Sequence, residues 1–198
     1  MLSKIPDNIC FEVDKEVFQK IAYREGSDGL LALAKAKAHT LGQLSLPSNP
    51  FLILIESVEK PGNLGAILRT ADAARVDAVI VCDPLTDIYN PNTIRSSIGC
   101  VFTVPLATCT KEEAFEFFKS NNIQSYAAEL TASQWYHDTD FRGASAILMG
   151  TEADGLSEFC LQNASARIKI PMRGCIDSLN VSVSAAIITF EAMRQRGF

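Results

Sequence analysis

The sequence contains no apolar run long enough to cross a bilayer. Stretches such as Phe51-Leu-Ile-Leu-Ile55 fall far short of the roughly 20 residues a spanning helix needs. It lacks a basic segment followed by an apolar one at its start, so no secretory signal is visible and a cytoplasmic protein with no membrane partner is expected. No C-x-x-C pair occurs among the six cysteines (Cys10, Cys82, Cys100, Cys109, Cys160, Cys175), and several sit in apolar runs such as Val79-Ile-Val-Cys82. Buried, reduced thiols are therefore expected, not disulfides or a zinc site. A basic excess is missing too. The net charge of −5 and pI near 5.1 count against gripping nucleic acid by overall charge, without excluding a local basic face. Neither G-x-x-x-x-G-K-[ST] nor G-x-G-x-x-G is found, which removes the Walker phosphate loop and the usual dinucleotide hairpin.

What is present suits a soluble domain with a small appendage: 198 residues, 47% hydrophobic and 21% charged. From residue 51 onward, short apolar runs alternate with helical patterns. The strand candidates are Phe51–Ser57, Ala78–Cys82, Val101–Val104, Gln124–Ala128, Ser145–Gly150 and Arg167–Ile170. Their lack of polar alternation predicts strands covered on both faces, hence an α/β fold with a mainly parallel sheet and helices on both faces. Thr110-Lys-Glu-Glu113 forms a capping box that opens a helix with Ala114, Phe117 and Phe118 inward. The last helix, about Leu179–Arg196, carries Leu179, Val183, Ile187 and Phe190 on one stripe. Residues 1–48 differ. They offer a short helix over Asp14–Ile21 and a strand over Gly29–Leu33, and end in the linker-like Leu46-Pro-Ser-Asn-Pro50. So short a stretch cannot easily build its own core, and the main domain is expected over 49–198.

Three motifs stand out. In Lys60-Pro-Gly-Asn-Leu-Gly-Ala-Ile-Leu-Arg69, Gly62 and Gly65 allow a tight turn and close ligand approach, Asn63 offers an amide, and Arg69 lies on the following helix. Leu148-Met-Gly-Thr-Glu-Ala-Asp-Gly-Leu-Ser157 is a strand end leading to a loop in which Glu152 is the functional candidate, Asp154 a turn residue and Ser157 a helix cap. The third runs from Ile170-Pro-Met172 through Gly174 to Ser178-Leu-Asn-Val-Ser182. There Ser178 and Asn180 are helix caps or site residues, and small residues at Ser182, Ser184, Ala185 and Ala186 permit close packing.

Taken in order and at this spacing, Gly-Asn-Leu-Gly-Ala-Ile-Leu-Arg, Met-Gly-Thr-Glu and Ile-Pro-Met…Ser-Leu-Asn-Val-Ser resemble the signature motifs of the SpoU (TrmH-like) RNA ribose 2′-O-methyltransferases of the SPOUT superfamily. Arg95-Ser-Ser-Ile-Gly99 resembles the family's intervening stretch, and the match covers about residues 50–198. Lys60 stands where Asn or Asp is frequent, and Ala153 replaces a usual glycine; neither departure falls on a residue given a catalytic role. The resemblance implies a deep trefoil knot at the carboxyl end, a homodimer, S-adenosyl-L-methionine as cofactor, and rRNA or tRNA, not DNA, as partner. It assigns Gly150, Ile170 and Leu179 to cofactor contact, with Met149 and Met172 beside the adenine, and lets the Gly150 loop backbone approach the ligand. Residues 17–33 look like the end of a substrate-binding domain, making 1–48 a remnant plus linker.

Arg69 matches the family's catalytic arginine. Because arginine is effectively always protonated, it is expected to stabilise the alkoxide or orient an RNA phosphate, not to act as base. Asn63, Glu152, Ser178 and Asn180 are expected to position Arg69, the ribose and the cofactor. No metal is called for, and His39 and His137 read as incidental surface residues. Two other readings stay open: a non-catalytic RNA- or protein-binding module that keeps the knot, and an unrelated α/β enzyme using the glycine loops for a nucleotide phosphate.

Overall fold

The computed structural model describes residues 5–23, 26, 29–176 and 178–197. The chain divides between Lys37 and Ala38 into two compact units. In the first, helix α1 (Lys15–Ile21) follows Asp14 in its extended capping position. None of its described residues is buried, and Leu30–Leu33 is irregular where a strand was expected. Among the described residues no strand pairs with that run, so its β propensity has nothing to act on.

The second unit is a seven-stranded sheet in the order β3-β2-β1-β6-β4-β7-β5, every pairing parallel. The elements run β1 (Phe51–Glu56), α2 (Pro61–Ala73), β2 (Ala78–Cys82), α3 (Pro91–Ser96), β3 (Leu106–Cys109), α4 (Lys111–Ser120) and β4 (Gln124–Ala128). They continue β5 (Gln134–Trp135), β6 (Ser145–Met149), α5 (Glu158–Asn163), β7 (Ala166–Lys169) and α6 (Val181–Arg196). β1, β2 and β6 are buried throughout, so their alternate side chains feed two cores. Phe51, Ile53, Ile55, Val79, Val81, Ile147 and Met149 meet α2 and α6 on one face. Leu52, Leu54, Ile80, Ala146 and Leu148 meet α4 and α5 on the other, joined by Leu41, Leu44 and Leu46 from the preceding segment.

Local signals mostly act as expected. Thr110 Oγ1 accepts the Glu113 N–H at 3.2 Å, and Glu113 Oε2 accepts the Thr110 N–H at 2.8 Å, closing the capping box. One strand is displaced. Val101–Val104 lies in and just beyond a 3-10 turn (Cys100–Phe102), and β3 begins only after Pro105. Gly99, at φ +85°, turns the chain so that Val101 and Val104 bury into the core without extending. The two-residue β5 at the sheet edge carried no readable pattern.

On α6 the buried face is Val181, Ala185, Ile188, Thr189 and Ala192. The apolar stripe picked out by spacing points elsewhere: Leu179, Val183 and Phe190 are 40%, 47% and 43% exposed. The far end of α6 is anchored by Arg196, whose guanidinium donates to the carbonyls of Phe141, Asn49, Pro50 and Gly143 at the entry to β1 and β6. All six cysteines are free, but Cys10 and Cys175 are exposed, not buried as expected. Both sit in segments that contribute no core. Cys82 and Cys109, paired across β2 and β3, bring their sulfurs within 3.8 Å, and this contact and burial push the Cys82 thiol up. His39 is also not incidental: Nε2 meets Tyr89 Oη at 2.7 Å and Nδ1 lies 3.2 Å from Leu106 O.

Candidate active site

At the carboxyl ends of β4, β6 and β7 the chain leaves the sheet in three loops, and a cleft of about 490 Å³ opens between them. Parallel sheets bind ligands at this edge, because strand ends there present unpaired backbone groups and loops free to vary. Met149, Leu156, Ile168, Ile170, Met172, Leu179 and Val181 supply apolar walls, and Glu129, Thr131, Glu152 and Ser178 supply polar groups. The five residues expected around the cofactor, Met149, Gly150, Ile170, Met172 and Leu179, all line this one cleft. Its size falls within the range of small-molecule sites.

The loop after β6 is a tight hairpin. Thr151 and Gly155 exchange backbone hydrogen bonds at 2.9 and 3.2 Å, and Gly155 adopts φ +71°. A Cβ on Gly150 would stand 2.0 Å from Gly155 C and 2.3 Å from Leu156 N. Gly150 is thus required by the loop's own backbone as well as lining the cleft. Asp154 N–H is held by Thr151 Oγ1 at 3.0 Å, and Ser157 Oγ caps α5 by accepting the Cys160 N–H at 3.4 Å. Glu56, at the end of β1 and 3% exposed, accepts the Ser157 N–H at 2.8 Å.

Beside the cleft, Asn63, Glu152 and Asn180 converge from three separate segments. Asn63 Nδ2 donates to Glu152 Oε1 at 3.1 Å; Asn180 Nδ2 donates to the same oxygen at 2.5 Å and to Asn63 Oδ1 at 3.2 Å. Lys60 ion-pairs with the other carboxylate oxygen. Both positions that depart from the family pattern therefore touch the site, Lys60 through Glu152 and Ala153 in the cleft lining. Lys60 first, then Asn63 and Asn180, hold the Glu152 carboxyl below the usual range. Asn180 is also the cap of α6, its Oδ1 accepting the Ser182 N–H at 2.9 Å, so both readings of this residue apply at once.

Two site candidates stand outside this hydrogen-bonded group. Ser178 lines the cleft without joining it. Arg69 is exposed and makes no hydrogen bond or salt bridge among the described residues. It lies six residues after Asn63 on α2, which turns it about 120° around the helix and about 9 Å along it. The glycines of this motif are not in a turn: α2 already begins at Pro61. Gly65 instead lets α3 come close, since a Cβ there would fall 1.9 Å from Ser96 Oγ and 2.7 Å from Ser97 N. Glu129 and Thr131, which had no motif around them, were missed. Among the described residues no cluster of His, Cys, Asp and Glu could hold a metal ion, and no helix is long and apolar enough to cross a membrane.

A parallel sheet covered on both faces, with a small-molecule cleft and a carboxylate–amide cluster at its carboxyl edge, defines a ligand-binding α/β domain. The chain belongs to the SpoU rRNA Methylase family, whose pattern matches residues 50–190. It is similar to the 23S rRNA (guanosine-2′-O-)-methyltransferase RlmB of Ralstonia nicotianae, 32% identical over 188 residues, covering 92% of this chain and 76% of that one. The RlmB of Salmonella typhi is 35% identical over 154 residues, 77% of this chain, which spans only 63% of that relative's length. A solved AdoMet-bound rRNA methyltransferase from Sinorhizobium meliloti superposes with a TM-score of 0.85 at 30% identity, covering 91% of this chain and 70% of that one.

Proposed function

We propose that this chain transfers a methyl group from S-adenosylmethionine to a ribose 2′-hydroxyl of RNA in the cytoplasm, with ribosomal RNA, the substrate named for its relatives, as the substrate class. The observation that carries the reading is the single cleft lined by Met149, Gly150, Ile170, Met172 and Leu179, beside the Asn63–Glu152–Asn180 cluster. Apolar walls suit an adenine face, and the loop backbones suit its edge. The bound cofactor supplies an electrophilic sulfonium methyl. Glu152, kept ionised by its donors, is a weak base and serves to orient the cofactor and ribose. Arg69 stabilises the alkoxide or aligns a phosphate that takes the proton. Standing apart from the cluster, it acts through the bound RNA or from a second copy of the chain.

The homodimer belongs to this proposal, supported by the exposure of Val183 and Phe190 on α6. So does the knot. Its support is that the segment after β7 returns to pack α6 on α2, while Asn180 touches the loop after β6. Residues 1–48 are proposed to be the end of a substrate-binding element plus linker. Calorimetry with S-adenosylhomocysteine, ATP and NAD tests the cofactor; selective binding of the first is expected. Methyl transfer to ribosomal RNA lacking the modification tests the activity. Binding without any transfer would favour the non-catalytic module, and binding of ATP or NAD instead would overturn the reading.

A further inference from the structure

We propose that Glu56 is a positioning residue for the cofactor site: its carboxylate holds the exit of the 150–156 hairpin and so sets the wall that this hairpin gives the cleft. The inference rests on reading the cleft as the cofactor site. Residues 151–156 all line that cleft, and Glu152 carries the amide cluster beside it. The entry of the hairpin is fixed by strand pairing, since Met149 is in register with Ile55 of β1. Its exit is tied to the sheet by a side chain instead. There the chain passes from Leu156 to Ser157, the cap of α5. Glu56, the last residue of β1, accepts the Ser157 N–H at 2.8 Å across 101 positions of sequence. Both legs are thereby held by neighbouring residues of one strand.

Alternation along β1 sends Glu56 to the same face as Leu52 and Leu54, the one covered by α4 and α5. It is 3% exposed, and a carboxylate buried so deeply is costly unless donors meet it. The Ser157 N–H is one. The other polar groups of that cap are committed, its Oγ accepting the Cys160 N–H and its carbonyl the Leu161 N–H. Lys111, ion-paired with Asp83 at 3.4 Å, brings a positive charge nearby. The Cys160 thiol is pushed up to about 12, by burial first and then by the Glu56 charge, so no second anion crowds the carboxylate. Leu156 packs with Leu52, Leu54 and Leu148 and also lines the cleft, so a shift at Ser157 passes to the cleft wall. Gly150 has no room to absorb such a shift, because the two legs already touch there. A hairpin that is not held is competent to bind for only part of the time, and cofactor affinity falls by that fraction.

The test pairs calorimetry of the full chain against S-adenosylhomocysteine with hydrogen exchange of the ligand-free protein. Glu56→Ala removes the acceptor, and Glu56→Asp draws it back by about 1.5 Å, out of hydrogen-bonding reach. Either should weaken S-adenosylhomocysteine about 10- to 100-fold, the scale of a hydrogen bond to a charged group. Amides of residues 150–157 should exchange faster by a similar factor, while those of β2 and β3 keep their wild-type rates. Glu56→Gln keeps an acceptor oxygen at the same reach and should restore most of both. A folded Glu56→Ala or Glu56→Asp that binds like wild type overturns the proposal. Faster exchange spread evenly over the sheet does so as well, since it marks a role in global stability alone. A Glu56→Gln that fails as badly as Glu56→Ala also overturns it. If Glu56→Ala does not fold, Glu56→Asp carries the comparison. A wild type that binds no S-adenosylhomocysteine overturns the cofactor reading itself, and exchange in the variants still decides whether Glu56 holds the hairpin.

Discussion

The Asn180 side-chain oxygen accepts the Ser182 N–H at 2.9 Å, while its nitrogen donates to Glu152 Oε1 at 2.5 Å. The two roles separate by substitution. Asn180→Ser can keep the cap but cannot reach Glu152, whereas Asn180→Ala loses both. Urea unfolding should find the alanine variant less stable by about 1 kcal/mol and the serine variant within about 0.5 kcal/mol of wild type. Glu152 itself is held ionised, and the sign of its pH dependence follows. Its folded-state pKa is depressed, so its contribution is present above the unfolded carboxylate value, about 4.3, and is lost as pH falls through the lower folded value. Cofactor binding should therefore show no Glu152 titration between pH 5 and 8. A binding limb near neutrality that vanishes in Glu152→Gln would contradict this. Arg69 is argued from charge that exists only in the transition state. Arg69→Ala should bind S-adenosylmethionine nearly normally yet methylate RNA about 10²- to 10³-fold more slowly, and Arg69→Lys should recover little. Single-turnover transfer measures this, and unchanged turnover removes the assignment.

Between elements, close approach decides which glycines matter. Gly65 sits where α2 meets α3, with Ser96 Oγ and the Ser97 nitrogen occupying the space a side chain would take. Gly62, three residues earlier on the same helix, has nothing within 4 Å of its would-be Cβ. Gly65→Ala should cost about 1–3 kcal/mol, because the backbone of α3 must shift. Gly62→Ala should be neutral or stabilising by up to about 1 kcal/mol, as a helix residue freed of glycine's conformational entropy. Denaturant midpoints of the two variants should move apart. Similar losses in both would mean that the helix start, not the α2–α3 contact, sets the requirement.

For the whole molecule, the prediction concerns assembly. α6 buries Ala185, Ile188 and Ala192 against its own domain and leaves Val183 47% exposed on another side. A charge there leaves the core untouched but is costly in an apolar interface. Val183→Arg should convert a homodimer to a monomer in light scattering at micromolar concentration, with little change in the monomer's helical signal. A wild type that is already monomeric refutes the dimer. The sequence determined the parallel α/β class, most strand positions, the caps at Thr110 and Ser157, and the ordered motifs. These depend on apolar periodicity and local hydrogen bonding, which short windows of chain contain. Only the tertiary structure decided that Gly65 serves α3 and Gly150 its own hairpin, and that Lys60 reaches Glu152. It also decided that Arg69 stands apart, that Glu129 borders the cleft, and which side of α6 is covered. Each of these is a matter of which distant segments meet, set by sheet order and chain return, and no local pattern encodes it.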